Sequence, residues 1–350
     1  MTRFRQSGSS LAFMSIVFVQ SAVVLSLEGY IFGKFQANIN TSYNLADDER
    51  SVTVAIPTYL ALFIFGEVYS LVLAYDSLRL RNTIQAIGLT AFNIAMMVYA
   101  GIQYEQIKSA SLDLSSTGAL AAAAWSEMNA YVIALIAVIG VCTIPMGIMC
   151  FYLFRDFGWF IYKQLGADIS MKHRYLALQI FTTLLKFDFF FFLGFTIQFV
   201  VIVLNTKDVE FALTIAVIPF TIAVLVGTYF FVIREFLPGM VVVISIFFAS
   251  MAYFIFKLAR MYQPSQAWKY VAARKSLTTF AVLTLVFITV TIINAIICTR
   301  NFDKGLKQYA VVGTGVAGIF CAADEDEEEK YARNTNGETA IELRPRFDIE

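Results

Sequence analysis

Four charged residues lie inside long apolar segments of the chain, namely Glu28, Glu67, Lys186 and Asp188. A charge within the apolar core of a bilayer costs about 2.5 kcal/mol or more, so it usually faces a partner or a water-filled cavity. Counted at about 1.5 Å per residue from the basic ends of their segments, Glu67 and Lys186 have similar depths, which predicts an ion pair. Asp188 is two positions from Lys186 and points to another side of a helix.

Two interpretations of these four residues stay open. A buried ion pair would fix the register of two helices and would need no transport to explain it. The alternative is a polar site for a solute, an ion or a proton, with the carboxylates along its path. Asn93 and Asn294, each inside another apolar segment, are expected to form hydrogen bonds between helices.

Two short motifs lie near the C-terminus. The segment from Gly313 to Gly318 has the form G-x-G-x-x-G, but the mostly charged residues after it offer no second apolar strand, so it favours a flexible linker over a dinucleotide site. Tyr309 and Val312 match the tyrosine-x-x-bulky form of a sorting signal, and the acidic run from Asp324 to Glu329 follows them. We expect coat or adaptor proteins as partners of this tail, although a solvated acidic run is the simpler explanation.

The remaining reactive residues do not form a recognisable catalytic pattern. The chain has 1 histidine and 4 cysteines, without a C-x-x-C motif or metal-ligand spacing. A basic face for nucleic acid is also missing, since the formal net charge is zero and the basic residues flank apolar segments. We therefore expect neither an enzyme nor a metal, cofactor or nucleic-acid site.

The segments that must position these residues are long and apolar. The chain is 59% hydrophobic with a mean hydropathy of +0.69, and about 20 apolar residues span a bilayer as a helix. Eight such segments are predicted: Leu11–Phe35, Val52–Tyr75, Thr83–Tyr104, Met128–Phe154, Tyr175–Leu204, Phe211–Ile233, Met240–Met261 and Leu277–Thr299. The predicted fold is an all-α polytopic membrane bundle at 11–300, after a short N-terminal segment at 1–10 and before an acidic, largely disordered tail at 301–350.

Loop charges predict the orientation of this bundle. With eight spans, most lysines and arginines in short loops share one side with both termini, which the positive-inside rule makes cytosolic. Asn40-Thr41-Ser42, a glycosylation pattern, would then lie on the lumenal side. Lys269, Arg274 and Lys275 contradict the rule, since eight spans place them in the lumen, and seven spans with a re-entrant segment are the alternative.

Four strings of residues resemble a known family when taken together. They are Arg81-Asn82-Thr83-Ile84-Gln85, Lys186-Phe187-Asp188-Phe189, the run from Lys257 to Tyr262, and the run from Arg300 to Lys307. The chain resembles a fungal family of uncharacterised Golgi-apparatus multi-pass membrane proteins over about Leu11 to Lys307. This resemblance implies a Golgi or endomembrane location and a topology class, without assigning functional residues.

Two functions are compatible with these features. A resident of the Golgi membrane that moves or senses a small polar solute or ion would use the intramembrane charges. A membrane scaffold or cargo-sorting factor, which recruits partners through its cytosolic loops and tail, is the alternative. A cavity that joins Glu28, Glu67 and Asp188 would favour the first, and a fully packed bundle would favour the second.

Overall fold

A computed structural model describes residues 8–40, 47–165, 169–203, 209–264, 270, 273–302 and 304. These residues form helices α1 Gly8–Asn38, α2 Asp47–Arg79, α3 Thr83–Ser116, α4 Ala124–Leu165, α5 Ile169–Gln198, α6 Val209–Ile233, α7 Leu237–Met261 and α8 Arg274–Arg300. A π-helical turn, Phe199–Val203, continues α5.

The prediction of eight membrane helices is confirmed. Over the described residues, 8 helices are long and apolar enough to cross a membrane. Several extend past the predicted segments, and α4 has 42 residues where about 20 suffice. The extensions begin or end in polar residues, which an apolarity criterion leaves outside a predicted span.

The helices form two groups that share an interface. In the first, α1 packs on α2 and α4, and α3 packs on α2 and α4. In the second, α8 packs on α5 and α7, while α6 makes only a few contacts, with α5, its π-turn and α7. Contacts of α5 with α2 and α3 join the two groups.

Aromatic rings fill the interface between the groups. Phe190 of α5 is fully buried and lies against the rings of Phe65, Phe92 and Phe280, with centroids 5.5, 4.8 and 6.2 Å away. The phenylalanines of α5 occupy every side of the helix in the sequence, which predicts a mixture of lipid contact and packing. Four of them, Phe187, Phe190, Phe191 and Phe195, are buried, while Phe189 and Phe192 are half-buried, so packing inside the bundle predominates.

Tight turns fix the order of the helices at one end. Arg81, between α2 and α3, and Glu235, between α6 and α7, have left-handed φ angles of 51° and 53°. A Cβ on Gly239, in the first turn of α7, would lie 2.6 Å from Phe236 and 2.8 Å from Phe231. Only glycine fits at this position. Because α6 ends at Ile233 and α7 begins at Leu237, the predicted reversal between the sixth and seventh segments is confirmed.

We call this end of the bundle, where α1 begins and α8 ends, the terminal face. Eight consecutive antiparallel spans return the chain to the side on which it started. At the opposite end the connections after α1 and α3 meet, because the Asn40 backbone N–H donates to the Ala119 carbonyl over 3.0 Å. A small apolar cluster that includes Phe35, Leu60 and Leu120 packs beneath them.

Candidate functional site

Glu28 and Glu67 accept hydrogen bonds from neighbouring helices of the first group. Gln103 of α3 donates its Nε2 to the Glu28 Oε1 over 3.1 Å. Ser21 of α1 donates to the Glu67 Oε2 over 3.0 Å, and Gln20 donates to the other oxygen over 3.4 Å. Both carboxyl groups are almost fully buried, so each links α1 to a neighbouring helix.

Asn93 extends this network to α4. Its Nδ2 donates to the Gln20 Oε1 over 3.1 Å and to the Thr143 hydroxyl over 2.8 Å, and its Oδ1 accepts from the Gln20 Nε2 over 2.6 Å. In the second group, Asn294 of α8 donates to the Ala177 carbonyl of α5 over 3.1 Å. The expectation that both asparagines bond between helices is confirmed.

The predicted ion pair between Glu67 and Lys186 is wrong. The Lys186 ammonium pairs with the Asp76 carboxylate and donates to the Gln85 Oε1 over 2.8 Å. Gln85 also donates its Nε2 to the Asp76 Oδ2 over 2.9 Å. The three side chains, from α5, α2 and α3, form one polar cluster near the terminal face.

The backbone of Lys186 nevertheless contacts α2 close to Glu67 along that helix. The Tyr69 hydroxyl, two positions after Glu67, donates to the Lys186 carbonyl over 2.8 Å. Positions two apart on a helix face different directions, so Tyr69 faces α5 while Glu67 faces α1. The lysine side chain then extends toward the terminal face to reach Asp76, as long cationic side chains do near membrane surfaces.

Asp188 lies apart from this cluster, as its spacing from Lys186 predicted. Thr291 of α8 donates to the Asp188 Oδ2 over 2.6 Å. The second carboxylate oxygen, Oδ1, is buried and makes no hydrogen bond with the described residues. The four predicted residues therefore do not form one site, and Lys186 is the one of the four that forms an ion pair with a described residue.

A cavity of about 530 Å³ opens beside the Lys186 cluster, between α2, α5 and α6. Its polar lining includes Asp76, Arg79, Asn82, Gln179 and Lys186. Its apolar lining includes Phe189, Leu225, Val226 and Phe230. We call it the α2–α5–α6 cavity, and neither Glu28 nor Glu67 lines it.

Arg79 gives this cavity an uncompensated charge. Asp76 and Lys186 neutralise each other, while the exposed Arg79 side chain makes no hydrogen bond or ion pair with the described residues. One positive charge therefore remains at the end of α2, near the terminal face. The site can accept a molecule that is anionic at one end and apolar over the rest.

Sequence reasoning missed Asp76 and Gln85. Asp76 follows directly after the predicted span Val52–Tyr75, where an acid suggests a solvated loop. Gln85 is uncharged and stands inside the next span, so a search for charges overlooks it. A signal was present in both, since an acid close to two basic residues, Arg79 and Arg81, and a glutamine in the first turn of a membrane helix each need a partner.

Several predicted sites lie wholly or partly outside the described residues. Tyr309, Val312, the glycine motif and the acidic run of the tail are among them. Asn40 is described and exposed, but the rest of its glycosylation pattern is not described. Among the described residues, no group of three or more histidine, cysteine, aspartate or glutamate side chains could hold a metal ion.

The fold and the site define a polytopic α-helical membrane protein with a laterally placed cavity near one membrane surface. A Golgi apparatus membrane protein of Schizosaccharomyces pombe, of the UPF0658 group, is 30% identical over 324 residues, which cover 87% of this chain and 90% of the relative. The chain belongs to this family of Golgi apparatus membrane proteins. No family model and no solved structure matches it.

Proposed function

We propose that the protein moves or senses a small amphipathic solute with an anionic polar group, which it binds in the α2–α5–α6 cavity. The observation that carries this proposal is the cavity itself, about 530 Å³ in volume, with an ion pair, one further arginine and an apolar wall of α6. Ligand sites in proteins have this size and this mixture of apolar walls with a few polar groups. An apolar wall would not stabilise a bare ion, so the wall favours a solute with an apolar part.

The loose attachment of α6 supports entry of the solute from the bilayer. In its most apolar stretch α6 has 11% of its residues buried, against 56% in α2 and α5. Val226 lines the cavity and is 50% exposed. An outward movement of α6 would break few contacts, so an apolar chain could enter between α5 and α6.

The charges favour an anionic group at the terminal face. Arg79 can donate a bidentate pair of hydrogen bonds to a phosphate or a carboxylate. Lys186 already holds Asp76 and Gln85, so in this proposal it orients the polar wall and Arg79 contacts the solute. The protein is then a binding or transport protein and not an enzyme.

Location and orientation complete the proposal. We place the protein in the Golgi membrane with both termini cytosolic, which puts the cavity in the cytosolic half of the bilayer. The arginines at or near the terminal face support this orientation: Arg79, Arg81, Arg155, Arg174, Arg234 and Arg300. Protease digestion of sealed Golgi vesicles should remove tags at both ends, and protection of either tag would contradict it.

Binding can be tested on the full-length protein in phosphatidylcholine nanodiscs. Dodecyl phosphate should raise the thermal denaturation midpoint, because a ligand that binds only the folded state stabilises it. Arg79→Gln should raise the half-saturating concentration about tenfold, since hydrogen bonds to charged groups contribute about 1.5–3 kcal/mol. Arg155→Gln, which removes the same charge outside the cavity, is the matched control.

Two further measurements separate the contribution of the phosphate group from that of the alkyl chain of the ligand. Inorganic phosphate should bind far more weakly than dodecyl phosphate, and Leu225→Trp should weaken dodecyl phosphate alone. Equal affinity in the wild type, Arg79→Gln and Leu225→Trp would contradict the cavity as the site. Transbilayer movement of a fluorescent phosphatidic acid in proteoliposomes then distinguishes transport from sensing.

A scaffold that sorts cargo is the second candidate function. It is favoured by the hydrogen bonds of Glu28 and Glu67, which join helices and do not line the cavity. Membrane lipids and coat or adaptor proteins at Tyr309 and Val312 would be its partners. If the protein is a scaffold, truncation after Lys307 should leave it folded but displace it from the Golgi. If the protein only binds a solute, the same truncation should leave its location unchanged.

A further inference from the structure

A second cavity, of about 360 Å³, lies deeper in the bundle between α5, α6, α7 and α8. Its lining is mainly apolar and includes Phe192, Val217, Val224, Phe247 and Ile288. We call it the Asp188 cavity, because Asp188 is the one ionisable carboxylate among its described lining residues. Ser250 and Tyr253 of α7 and Thr221 of α6 are its other polar residues.

The Asp188 carboxyl group is incompletely satisfied. The residue is 4% exposed, and Thr291 supplies one hydrogen bond, to Oδ2. Oδ1 is buried without a hydrogen-bond donor among the described residues. Buried charges in proteins are normally paired, and this carboxylate has one neutral donor and no charged partner among the described residues, so it has capacity for another donor.

The nearby cations are engaged elsewhere. Lys186 extends toward the terminal face and pairs with Asp76. Lys257 of α7 lies over the Phe199 ring with its Nζ 4.1 Å from the centroid, eleven positions beyond Asp188 along α5. On α8, the described cationic residues lie at the ends of the helix: Arg274 and Lys275 at its start and Arg300 at its end. No described cation therefore balances Asp188.

The cavity is open on its membrane side. Phe220 of α6 and Ala249 of α7 line it and are exposed. In a membrane-spanning bundle, exposed side chains at mid-helix face lipid. A molecule dissolved in the bilayer can reach the cavity without crossing water.

We propose that the Asp188 cavity binds a hydrophobic primary amine, with the ammonium group at Asp188 and the apolar chain along α6 and α7. An ammonium group supplies both the positive charge and the N–H donors that the buried carboxylate lacks. A neutral alcohol supplies one donor and no charge, and an anion would be repelled. The amine is opposite in charge to the solute of the α2–α5–α6 cavity, so this site stands independently of the proposed function.

Dodecylamine is a suitable probe for the full-length protein in phosphatidylcholine nanodiscs. It should raise the thermal denaturation midpoint at neutral pH, with empty nanodiscs as the reference for partitioning. Asp188→Asn should raise the half-saturating concentration at least tenfold. Glu28→Gln removes another buried carboxylate that does not line the cavity, so it should leave the half-saturating concentration unchanged.

Dodecanol and a second variant complete the test. Dodecanol, which has the same chain without the charge, should bind at least tenfold more weakly than dodecylamine. Ala249→Phe should fill the mouth of the cavity and weaken dodecylamine while leaving Asp188 in place. This variant still tests the cavity if Asp188→Asn fails to fold.

Three results would overturn the proposal. Equal dodecylamine affinity in the wild type and Asp188→Asn would mean that the amine only partitions into the bilayer. Equal affinity for dodecanol and dodecylamine would mean that charge has no part in binding. Unchanged affinity in Ala249→Phe would place the amine outside the cavity.

Discussion

The two helix groups use intramembrane polar residues in different ways. In the group of α1 to α4, Glu28 and Glu67 accept hydrogen bonds from glutamine and serine side chains of neighbouring helices. In the group of α5 to α8, Lys186 and Asp188 line cavities. The carboxyl groups of the first group thus join helices and line neither cavity, whereas Lys186 and Asp188 join helices and also line a cavity.

This difference in the use of polar residues follows from how closely the neighbouring helices pack. Helices α1 to α4 lie close together in pairs, so a carboxyl group on one meets a donor on the next. Helix α6 makes few contacts with its neighbours, and both cavities form against it. In this protein, the intramembrane charges that line a cavity are the ones beside the loosely packed helix α6.

The largest effect is expected at the boundary between the groups. Phe190→Ala removes a fully buried ring that contacts α2, α3 and α8. Phenylalanine-to-alanine changes in close-packed interiors cost about 3–5 kcal/mol, and we expect about 3 kcal/mol here. The free energy of unfolding, measured by steric trapping in bicelles, checks this value.

The control for Phe190 lies on the lipid side of α4. Phe151 is 69% exposed, so Phe151→Ala should leave the free energy of unfolding nearly unchanged. If the two variants had similar stabilities, the rings between the groups would contribute little. The other contacts of α5 with α2 and α3 would then hold the two groups together.

A smaller loss is expected where α3 and α5 approach most closely. A Cβ on Gly88 would lie 2.7 Å from Cε2 of the Phe187 ring, which is itself buried. Overpacking of this kind costs about 1–3 kcal/mol, so Gly88→Ala should destabilise the protein. Gly147→Ala on α4 meets nothing within 4 Å and should be neutral or stabilising, because alanine favours helix. Equal melting temperatures for the two variants would contradict the close approach.

Hydropathy was sufficient to predict the membrane helices, but it was insufficient to predict which helices contact each other. Length and apolarity identify the eight spans, because lipid leaves the backbone no alternative to helix. They do not say which face of α2 meets α5, so depth alone paired Lys186 with Glu67 and not with Asp76. The residue that could have corrected this is Tyr69, whose position relative to Glu67 shows that the two face different helices.

The cavities could not be predicted from the sequence at all. Helix α6 is as apolar in sequence as α7, which packs on α8. Its weak packing is visible only in its few contacts with α5 and α7. Pairwise geometry of that kind is not recorded in the composition of a single helix.

A moderate effect is expected from the hydrogen-bond network of α1. Gln20→Leu removes the donor to Glu67 and both bonds with Asn93. Hydrogen bonds between membrane helices contribute about 1 kcal/mol each, and the stranded groups add to the cost, so we expect a loss of about 1–2 kcal/mol. Ser26→Ala removes only a bond within α1, to the Ala22 carbonyl, and serves as control. A loss as small as that control would mean that water replaces the network.

The smallest effect is expected from the ion pair of Asp76 and Lys186. The two side chains are 32% and 27% exposed, so solvent screens them, and we expect a coupling of about 1 kcal/mol in a double-mutant cycle of Asp76→Asn and Lys186→Met. The parallel cycle of Glu67→Gln and Lys186→Met should be additive, because these residues face different helices. Both cycles are measured as free energies of unfolding, and the first coupling should shrink in high salt. Additivity in the first cycle would mean that Lys186 is held by Gln85 alone, leaving its charge to attract the anionic solute beside Arg79.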